Sequence, residues 1–403
     1  MRILYFHQHF ATPSHAGGTR SYEFAQQLIA RGHTVHIVCG KTTDLNLTRI
    51  KRNLCEDHID GIRVSQIDLP YSNNDNIAKR TIIFIRFSWQ GIKFALRENY
   101  DLLFATSTPL TAGIPGIIAK IFKRKTFVFE VRDLWPEIPK ALGMKNPFLI
   151  ACMSLLEYLS YRCSDACIGL SPGICEGIKR RSPIARIIKM IPNGCDLEVF
   201  HPLLRKQISL EGITPSDKVA VFAGAHGVAN GLDAILNAAH HLIKLERRNI
   251  KIILIGDGKM KDHLQQRANK EKLINCIFFP PMPKNKLSEI IASADIGLMI
   301  LSNTPAFYYG TSPNKFFDYI SSGLPVLNNY PGWLADMITE NSLGIVVPPD
   351  DPKALAEGLI ALCDDDQYRK HLGRNARKFA ENQFSREKLS TEFVDLLESV
   401  AYV

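Results

Sequence analysis

A short segment near residue 315 carries the densest group of side chains that suit an anionic ligand. The segment comprises Gly310, Thr311, Ser312, Pro313, Asn314 and Lys315. Ser312 is typical of a helix N-cap and Pro313 of a first helical residue, so the next two N–H groups should point outward without internal partners. Lys315 adds a positive charge to this helix start, which suits a diphosphate. A well-capped helix without any ligand is the alternative interpretation.

One turn further along, Asp318 lies on the same predicted helix face as Asn314 and Lys315. A carboxylate in that place can accept hydrogen bonds from the diol of a ribose. The helix start and its first turn therefore suit a ribose beside the diphosphate.

A second group of polar residues follows the first apolar run of the chain. It comprises His7, His9, Gly17, Gly18 and Arg20. Consecutive glycines let the backbone approach a ligand closely, and the helix that follows offers its first N–H groups to a phosphate. The spacing differs from G-x-G-x-x-G, so the fingerprint of a nicotinamide dinucleotide site is absent. A surface loop without a ligand is the alternative.

A third group directly follows an apolar strand. It comprises Arg132, Asp133, Trp135 and Glu137. The indole offers a flat apolar surface to a sugar ring, and the carboxylates can accept hydrogen bonds from its hydroxyls. An ion pair between Arg132 and Asp133 that only fixes the loop is the alternative.

Two further strand ends contain glycine and allow a close approach of backbone to ligand. They carry Gly224 with His226 and, later, Gly256 with Gly258. Met282 follows two prolines after the next strand and could border a flat base pocket. Each of these signals is weak alone, because a tight turn explains a strand-end glycine equally well.

The elements that must position these groups alternate between strand and helix. In the first half we predict strands at Leu102–Thr106 and Thr126–Val131 with a helix at 111–122 between them. In the second half we predict a strand at Ile250–Ile255 after a helix at 231–245. Such alternation predicts the α/β class with two Rossmann-like, doubly wound domains.

The apolar periodicity lapses around residues 200–217, which indicates a domain boundary. We therefore predict an N-terminal domain at 1–200, a C-terminal domain at 201–380 and a last helix at 381–403 that packs back on the first domain. Two such domains usually bind a ligand in the cleft between them, at the carboxyl ends of both sheets.

The positive charge of the chain belongs to its first half. The 49 Lys and Arg residues exceed the 40 Asp and Glu residues by nine, and residues 1–200 hold 26 and 17 of them, which is the whole excess. This asymmetry predicts that the first domain faces an anionic partner such as a nucleic acid, a membrane surface or a phosphorylated substrate. A solvated basic face without a partner is the alternative.

The nine cysteines and the overall hydropathy favour a cytoplasmic protein. No cysteines form a C-x-x-C pair or stand with histidine at zinc-like spacing, so we expect small buried side chains in a reducing compartment and no metal. The first residues do not resemble a signal peptide, and no stretch reaches the ~18 apolar residues of a membrane span.

With these residues in view, the chain resembles family 4 of the retaining nucleotide-sugar glycosyltransferases, whose fold is the two-domain GT-B type. The matching stretches are Gly17-Gly18, residues 191–196, Phe222-Ala223-Gly224, residues 254–258, residues 294–297 and residues 314–319 with Gly323 and Pro325. Residues 132–137 and 312–315 look most like a bacterial surface-polysaccharide subgroup that includes the L-fucosamine (N-acetyl-L-fucosamine) transferases of O-antigen assembly.

The chain departs from the family pattern at three places. The family usually has two glutamates eight residues apart, where this chain has Gly310 and Asp318. It usually has Arg and Lys after the first strand of the second domain, where this chain has Ala225 or His226 and then Asn230. The histidine of the family's catalytic loop is replaced near Arg132. A 6-deoxy donor sugar, which presents fewer hydroxyls, is compatible with the missing glutamate.

The resemblance implies retaining transfer of a sugar, N-acetylated and 6-deoxy in this subgroup, from a UDP-sugar to a polyprenyl diphosphate-linked saccharide, without a metal or another cofactor. It assigns catalysis to Lys315, Arg132, Asp133 and Glu137, and acceptor binding to His7, His9 and Trp135. Donor binding falls to the remaining residues named above together with Lys315: Gly17, Gly18, Arg20, Gly224, His226, Gly256, Met282, Gly310, Thr311, Ser312, Pro313, Asn314 and Asp318.

A lipid-linked acceptor would explain the basic first half, because it lies at the anionic inner surface of a membrane. The segment 79–97 combines five basic residues with Ile82, Ile83, Phe84, Ile85, Phe87 and Trp89, and basic residues recur at 120–125. We expect peripheral membrane contact there and no nucleic acid partner. A buried helix with a basic rim is the alternative.

Two other functions remain open from the sequence. A GT-B-type UDP-sugar epimerase would convert the nucleotide sugar without a lipid acceptor. A catalytically inactive protein would bind nucleotide sugar or membrane within an assembly complex, and the family positions lost in this chain favour that hypothesis.

Overall fold

The computed structural model describes residues 1–15, 18–41, 45–72, 75–183, 187–207 and 210–401. It divides into two compact units. Unit 1 consists of Met1–Pro192, Gly310–Ser312 and Glu387–Val403, and unit 2 consists of Asn193–Tyr309 and Pro313–Arg386. The chain leaves unit 1 after Pro192, earlier than the predicted boundary at residue 200, and returns to it after Arg386.

Unit 1 is built on a sheet in which nine strands lie within the described residues, in the order β3-β4-β5-β2-β1-β6-β7-β8-β9. Their bounds are β1 (Arg2–Phe6), β2 (Thr34–Lys41), β3 (Arg49–Lys51), β4 (Leu54–Ile59), β5 (Ile62–Pro70), β6 (Leu102–Thr106), β7 (Thr126–Val131), β8 (Ala166–Gly169) and β9 (Ile188–Met190). The strands from β5 to β9 pair in parallel, while β3, β4 and β5 pair antiparallel. The order reverses between β1 and β6, where doubly wound sheets bind ligands.

Helices cover the central strands of unit 1, which are apolar on both faces as a parallel sheet requires. Their bounds are α1 (Arg20–Ala30), α2 (Ile77–Arg97), α3 (Gly113–Lys123), α4 (Glu137–Ala141), α5 (Pro147–Cys163) and α6 (Pro172–Arg181). Two of them begin where an N-cap precedes a proline: Asn146 accepts from the Leu149 N–H, and Ser171 from the Ile174 N–H.

Unit 2 contains a parallel sheet of six strands within the described ranges, in the order β12-β11-β10-β13-β14-β15. Their bounds are β10 (Lys218–Ala223), β11 (Ile250–Ile255), β12 (Cys276–Phe279), β13 (Ile296–Met299), β14 (Val326–Asn328) and β15 (Gly344–Val346). Val221 of β10 lies between Ile253 of β11 and Gly297 of β13. The order again reverses beside the first strand, so the carboxyl end of β10 is the expected ligand position.

The helices of unit 2 enclose two apolar clusters, one on each face of the sheet. Their bounds are α7 (Asp233–Lys244), α8 (Lys261–Lys270), α9 (Lys284–Ser293), α10 (Pro305–Tyr308), α11 (Asn314–Ser321), α12 (Trp333–Glu340), α13 (Pro352–Asp364) and α14 (Asp366–Gln383). Where unit 2 begins and ends, the Cys195 N–H donates to Phe384 O and the Arg386 N–H donates to Cys195 O.

The helix α15 (Arg386–Ala401) belongs to unit 1 from Glu387 onward. Its Phe393 ring stacks on Phe24 of α1 at a centroid distance of 4.2 Å and meets Phe104 of β6 edge-on at 5.0 Å. Glu398 accepts hydrogen bonds from both Arg31 and His33. Residues far apart in sequence thus complete one apolar layer of unit 1.

Candidate active site

In unit 2, glycine brings two strand ends into close contact. Gly224 after β10 and Gly256 after β11 have φ values of +152° and +151°, and a Cβ added to Gly256 would lie 1.9 Å from the Gly224 carbonyl oxygen. No L side chain fits there. Because neither glycine has a side chain, the backbone at the carboxyl ends of β10 and β11 is accessible to a ligand. The sugar donor predicted to bind there stays a prediction.

Helix α11 is fixed below this edge of the sheet by Tyr319, whose hydroxyl accepts the N–H of Ala223 at 3.0 Å. Its start differs from the prediction, because Pro313 occupies the N-cap position and Asn314 is the first helical residue. Ser312 is therefore not the N-cap. Gly310, Thr311 and Ser312 group with unit 1, while Pro313 and the helix group with unit 2.

The side chain of Lys315 lies inside this edge. Its Nζ donates to Asn230 Oδ1 at 3.1 Å and stands 4.1 Å from the centroid of the Phe222 ring. Burial lowers the pKa of Lys315 to about 7. Within the part of the chain that the structure describes, no carboxylate forms an ion pair with it. The unit thus holds a desolvated cation that an anionic ligand would neutralise.

The imidazole of His226 is fully buried between the Phe222 and Phe278 rings. Burial, followed by the charge of Lys261, lowers its pKa to about 4, and neither ring nitrogen has a hydrogen-bond partner among the described residues. Its backbone bonds to Asp257 and Met260 join the two loops. The backbone of His226 thus supports the two loops, and its predicted contact with a donor stays a prediction.

Other predicted donor residues of unit 2 lie near the same helix or strand ends. Asp318 is partly exposed, and its charge contributes to raising the pKa values of Cys195 and Tyr319. Asn314 is exposed at the helix start. Met282 is partly buried against the apolar cluster after β12, which is compatible with a pocket border.

In unit 1, the predicted histidines lie after β1 beside Arg132. The Ser21 hydroxyl bonds His7 Nδ1 at 2.8 Å and also accepts from the Tyr5 hydroxyl at 2.7 Å. Burial, and then the charge of Arg132, lowers the pKa of His7 and brings that of His9 to about 4. Both imidazoles are therefore neutral at pH 7, and they can exchange hydrogen bonds with hydroxyl groups.

The loop after β7 places its polar residues at different depths. The Arg132 N–H donates to Ser107 Oγ at 2.9 Å, and burial raises the pKa of Asp133. Trp135 packs partly into the apolar cluster of unit 1, with no partner for Nε1 in the described ranges. Glu137 is exposed at the first position of α4. Glu137 is thus the most exposed of the four residues, while Arg132, Asp133 and Trp135 are half-buried.

The guanidinium of Arg20 forms an internal ion pair that was not expected, and its predicted contact with a donor stays a prediction. Its guanidinium is buried and bonds Glu130 Oε2 through Nε at 2.9 Å and through one terminal nitrogen at 2.8 Å. The same side chain donates to the carbonyl oxygens of Ile191 and Pro192. It therefore ties α1 and β7 to the last residues before unit 2. The neighbouring Gly18 is exposed, and Gly17 lies outside the described residues.

Several residues that shape these sites gave no signal in the sequence. Glu130 stands in an ordinary strand and Ser21 in an ordinary helix, and they gain importance only through partners 110 and 14 positions away. Glu157, which bonds the backbone of Trp135, is a further case. Burial and then the negative charge of Glu137 raise the pKa of Glu157 to about 7. In the described chain, no three His, Cys, Asp or Glu side chains form a group that could hold a metal ion.

Two family models together match most of the chain. Residues 17–199 match the model described as Glycosyltransferase Family 4, and residues 205–379 match the model described as Glycosyl transferases group 1. The boundary between the matched ranges lies close to the passage from unit 1 to unit 2 at Pro192.

Curated relatives are distant and mostly bacterial. The chain is 25% identical over 306 residues to the probable glycosyltransferase WbjE of Pseudomonas aeruginosa, covering 74% of this chain and 75% of WbjE. An uncharacterized glycosyltransferase of Methanocaldococcus jannaschii is 25% identical over 60% of this chain and 62% of its own length. The O-antigen chain mannosyltransferase C of Escherichia coli is 23% identical over 45% and 47%, respectively. The chain thus spans less than two thirds of the last two.

Solved structures share the fold over nearly the whole chain. The sucrose-phosphate synthase of Thermosynechococcus elongatus has a TM-score of 0.79 at 17% identity, covering 99% of this chain and 98% of its own. Anabaena HepE in complex with UDP-glucose has a TM-score of 0.69 at 16% identity, covering 99% and 100%. The predicted α/β class with two doubly wound domains is confirmed.

Proposed function

Because the chain belongs to the GT-B glycosyltransferases, we propose that it transfers a sugar with retention from a UDP-sugar to a polyprenyl diphosphate-linked saccharide, in the synthesis of a bacterial surface polysaccharide. Lys315, a half-buried cation without a carboxylate partner in the described chain, carries the proposal. The complex of HepE with UDP-glucose supports the choice of donor. The name of the Escherichia coli mannosyltransferase supports the O-antigen context.

The donor diphosphate would lie at the start of α11. There Lys315 Nζ would neutralise it, and the N–H groups of Asn314 and Lys315 would donate hydrogen bonds to its oxygens. Gly224 and Gly256 leave room for backbone contact with the nucleotide. Preorganised donors of this kind stabilise the departing UDP, whose negative charge grows in the transition state.

The transfer itself would proceed on one face of the donor sugar. The bond from the anomeric carbon to the diphosphate oxygen breaks through an oxocarbenium-like state, and the acceptor hydroxyl forms the new bond on the same side. The departing phosphate oxygen takes the acceptor proton. The pair of carboxylates that a double displacement would require is therefore not needed. Arg132, Asp133 and Glu137 would orient the sugars, with His7, His9 and Trp135 on the acceptor.

The donor sugar is proposed to be N-acetylated and 6-deoxy, as in UDP-N-acetyl-L-fucosamine. At Gly310 there is no side chain to bind a hydroxyl, which favours a sugar that lacks one. We expect this donor at 100 times its dissociation constant to add about 2.7 kcal/mol to stability, and to raise the melting temperature by roughly 5–10 °C. UDP-N-acetylglucosamine is the matched comparison. If no UDP-sugar shifts the melting temperature, the donor assignment fails.

Turnover distinguishes the proposal from its competitors. Labelled UDP-sugar is incubated with a polyprenyl diphosphate-linked saccharide, and the lipid fraction is assayed for label. Label in the lipid with release of UDP supports the transferase. Conversion of the nucleotide sugar without acceptor would identify an epimerase, and binding without any turnover would identify an inactive partner.

A surface on unit 1 is proposed to contact an anionic membrane. None of the helices in the described ranges is long and apolar enough to span a bilayer. Helices α2, α3 and α5 pack side by side and expose Trp89, Phe122 and Phe148 by 62%, 71% and 75%. We define these residues, together with Ile82, Ile85, Arg86, Ile121, Arg124 and Leu155, as the apolar-basic face. Exposed aromatic and basic groups together suit the interface of an anionic bilayer.

The apolar-basic face differs in part from the surface expected from the sequence. Ile83 and Phe87 are buried in the core, and Lys120 is paired with Asp165, so they contribute less than the residues around them. Helix α5 adds Phe148 and Leu155, which are exposed. The sequence did not predict their exposure, because the helix is apolar along its length. Helix α2 thus exposes fewer apolar side chains to solvent than predicted, and helix α5 exposes more.

The membrane proposal makes a direct prediction. The wild type should co-sediment with vesicles containing phosphatidylglycerol at low salt. Replacing Trp89, Phe122 and Phe148 together by serine should weaken this binding at least about tenfold, because each large side chain contributes about 1.5–3 kcal/mol on burial. Leu203→Ser is the matched control, since Leu203 is 87% exposed in unit 2. Absence of wild-type binding at low salt would contradict the proposal, as would equal loss in the control.

A further inference from the structure

The polar neighbour of Lys315 is an amide, which cannot neutralise it. Asn230 ends the loop after β10 and accepts from Lys315 Nζ through Oδ1 at 3.1 Å. Its Nδ2 donates to the Ala225 carbonyl oxygen at 2.8 Å. Because the Ala225 carbonyl can only accept, the amide orientation is fixed with Oδ1 toward the ammonium.

The position of Lys315 Nζ is also limited on its other sides. The ammonium lies 4.1 Å from the centroid of the Phe222 ring, which attracts a cation through its face. A Cβ at Gly224 would come within 3.1 Å of Lys315 Cε, so a larger residue there would displace the side chain. Three groups from β10 and its loop therefore hold a cation that originates on α11.

The titratable groups near Lys315 do not neutralise its positive charge, which can therefore interact with an anionic ligand. His226 lies in the same loop, and its pKa of about 4 keeps it neutral above pH 6. Asp318 lies one turn along α11, while Asp257 and Lys261 act on His226 from the loop and helix after β11. Burial alone accounts for the lowered pKa of Lys315.

We propose that Asn230 is a positioning residue for the proposed transfer: its amide holds Lys315 Nζ over Phe222 and keeps the ammonium uncompensated for the donor diphosphate. The inference rests on the proposed function. A lysine supplied from position 230 should then replace one supplied from position 315, because the side chain of Asn230 already lies 3.1 Å from Lys315 Nζ. An aspartate at position 230 should instead pair with Lys315 and repel the diphosphate.

The test measures the dissociation constant of UDP by calorimetry for the wild type and three variants. Lys315→Ala should weaken binding about 30- to 100-fold, and Asn230→Asp at least about tenfold, in the range of charge-assisted hydrogen bonds. The double variant Lys315→Ala/Asn230→Lys should recover to within about tenfold of the wild type. Asn249→Asp, at an exposed asparagine of unit 2, is the matched control for the added charge.

The pH dependence provides a readout that a structural role would not change. Since the unliganded pKa of Lys315 is about 7 and a bound diphosphate raises it, UDP binding takes up a proton above pH 7. Wild-type affinity should therefore fall about tenfold per pH unit between pH 7 and 9, where UDP itself is already fully ionised. In Asn230→Asp the new carboxylate holds Lys315 protonated, and this decline should disappear.

Two results separate the failure of the inference from the failure of the function. If the wild type does not bind UDP at millimolar concentration, the proposed function falls. If the wild type binds, but the double variant stays as weak as Lys315→Ala and Asn230→Asp keeps the wild-type pH profile, the positioning by Asn230 is overturned while the donor site stands.

Discussion

Replacing Lys315 by alanine should lower the rate of sugar transfer by roughly 10²- to 10³-fold, which corresponds to the loss of one preorganised group that stabilises charge in a transition state. The effect is large because Lys315 has no second cation beside it on α11 and no carboxylate partner in the described chain. The free energy of unfolding should change by less than about 1 kcal/mol, since the variant removes one hydrogen bond but also a desolvated ammonium.

The measurement is a comparison of kcat/KM with UDP-sugar and lipid-linked acceptor, together with a thermal melt of each variant. Lys370→Ala is the matched control, because Lys370 is an exposed lysine on α14 of the same unit. A Lys315→Ala variant with full activity would refute the diphosphate site. A variant that is inactive only because it melts below the assay temperature would be recognised from its thermal melt.

The second large effect concerns stability. Arg20→Met should destabilise unit 1 by about 3–5 kcal/mol, because it leaves the Glu130 carboxylate buried without its cation. The side chains of Arg20 and Glu130 are 6% and 0% exposed. The variant also removes the donors to the Ile191 and Pro192 carbonyl oxygens, so hydrogen exchange should increase at both β7 and this junction. Urea unfolding and amide exchange by mass spectrometry provide the two readouts.

Arg2→Met is the matched control for the buried pair. Arg2 pairs with Asp101 at 2.7 Å, but the two side chains are 49% and 40% exposed, so its loss should cost at most about 1 kcal/mol. The double variant Arg20→Met/Glu130→Leu should recover much of the lost stability, because it removes the unpaired charge. Equal effects of Arg20→Met and Arg2→Met would show that the buried pair contributes no more than the exposed one.

The sequence predicted most of the central elements because their signals are local. The strands Leu102–Thr106, Thr126–Val131 and Ile250–Ile255 have the predicted bounds, since each is a short apolar run between polar residues. The strands β3 and β4 were missed because β3 is exposed and β4 is at most half-buried. Their order comes from pairing, of β3 with β4 and of β4 with β5. Local pattern carries no information about such a partner.

The start of α11 shows a similar limit. Ser171-Pro172 begins α6 as an N-cap and first helical residue, and the same pair at Ser312-Pro313 was expected to begin α11 in the same way. The second helix starts one residue later. Pro313 takes the N-cap position instead and offers no side-chain hydrogen bond to the helix. The difference lies outside the reach of sequence spacing.

The sequence predicted where the residues of the candidate site lie in the fold, but not which side chains they contact. Gly224 and Gly256 follow β10 and β11, His7 and Arg132 follow β1 and β7, and Lys315 lies in the first turn of α11, as expected from the sequence. Their roles in a site stay predictions. Their partners could not be predicted, because Lys315 and Asn230 are 85 positions apart and Arg20 and Glu130 are 110 apart. For the same reason the ion pair between Arg20 and Glu130 could not be predicted.

The position of Phe393 affects how the chain folds during synthesis. Unit 1 begins with the first residues but lacks the ring that covers Phe24 and Phe104 until residues 387–401 have been made. At 5–20 residues per second, the ribosome needs roughly 10–40 s to proceed from Pro192 to Ala401. The residues of unit 2 are complete within that interval. The half of the protein that is synthesised first therefore receives the last residues of its apolar layer only after all residues of unit 2 have been made.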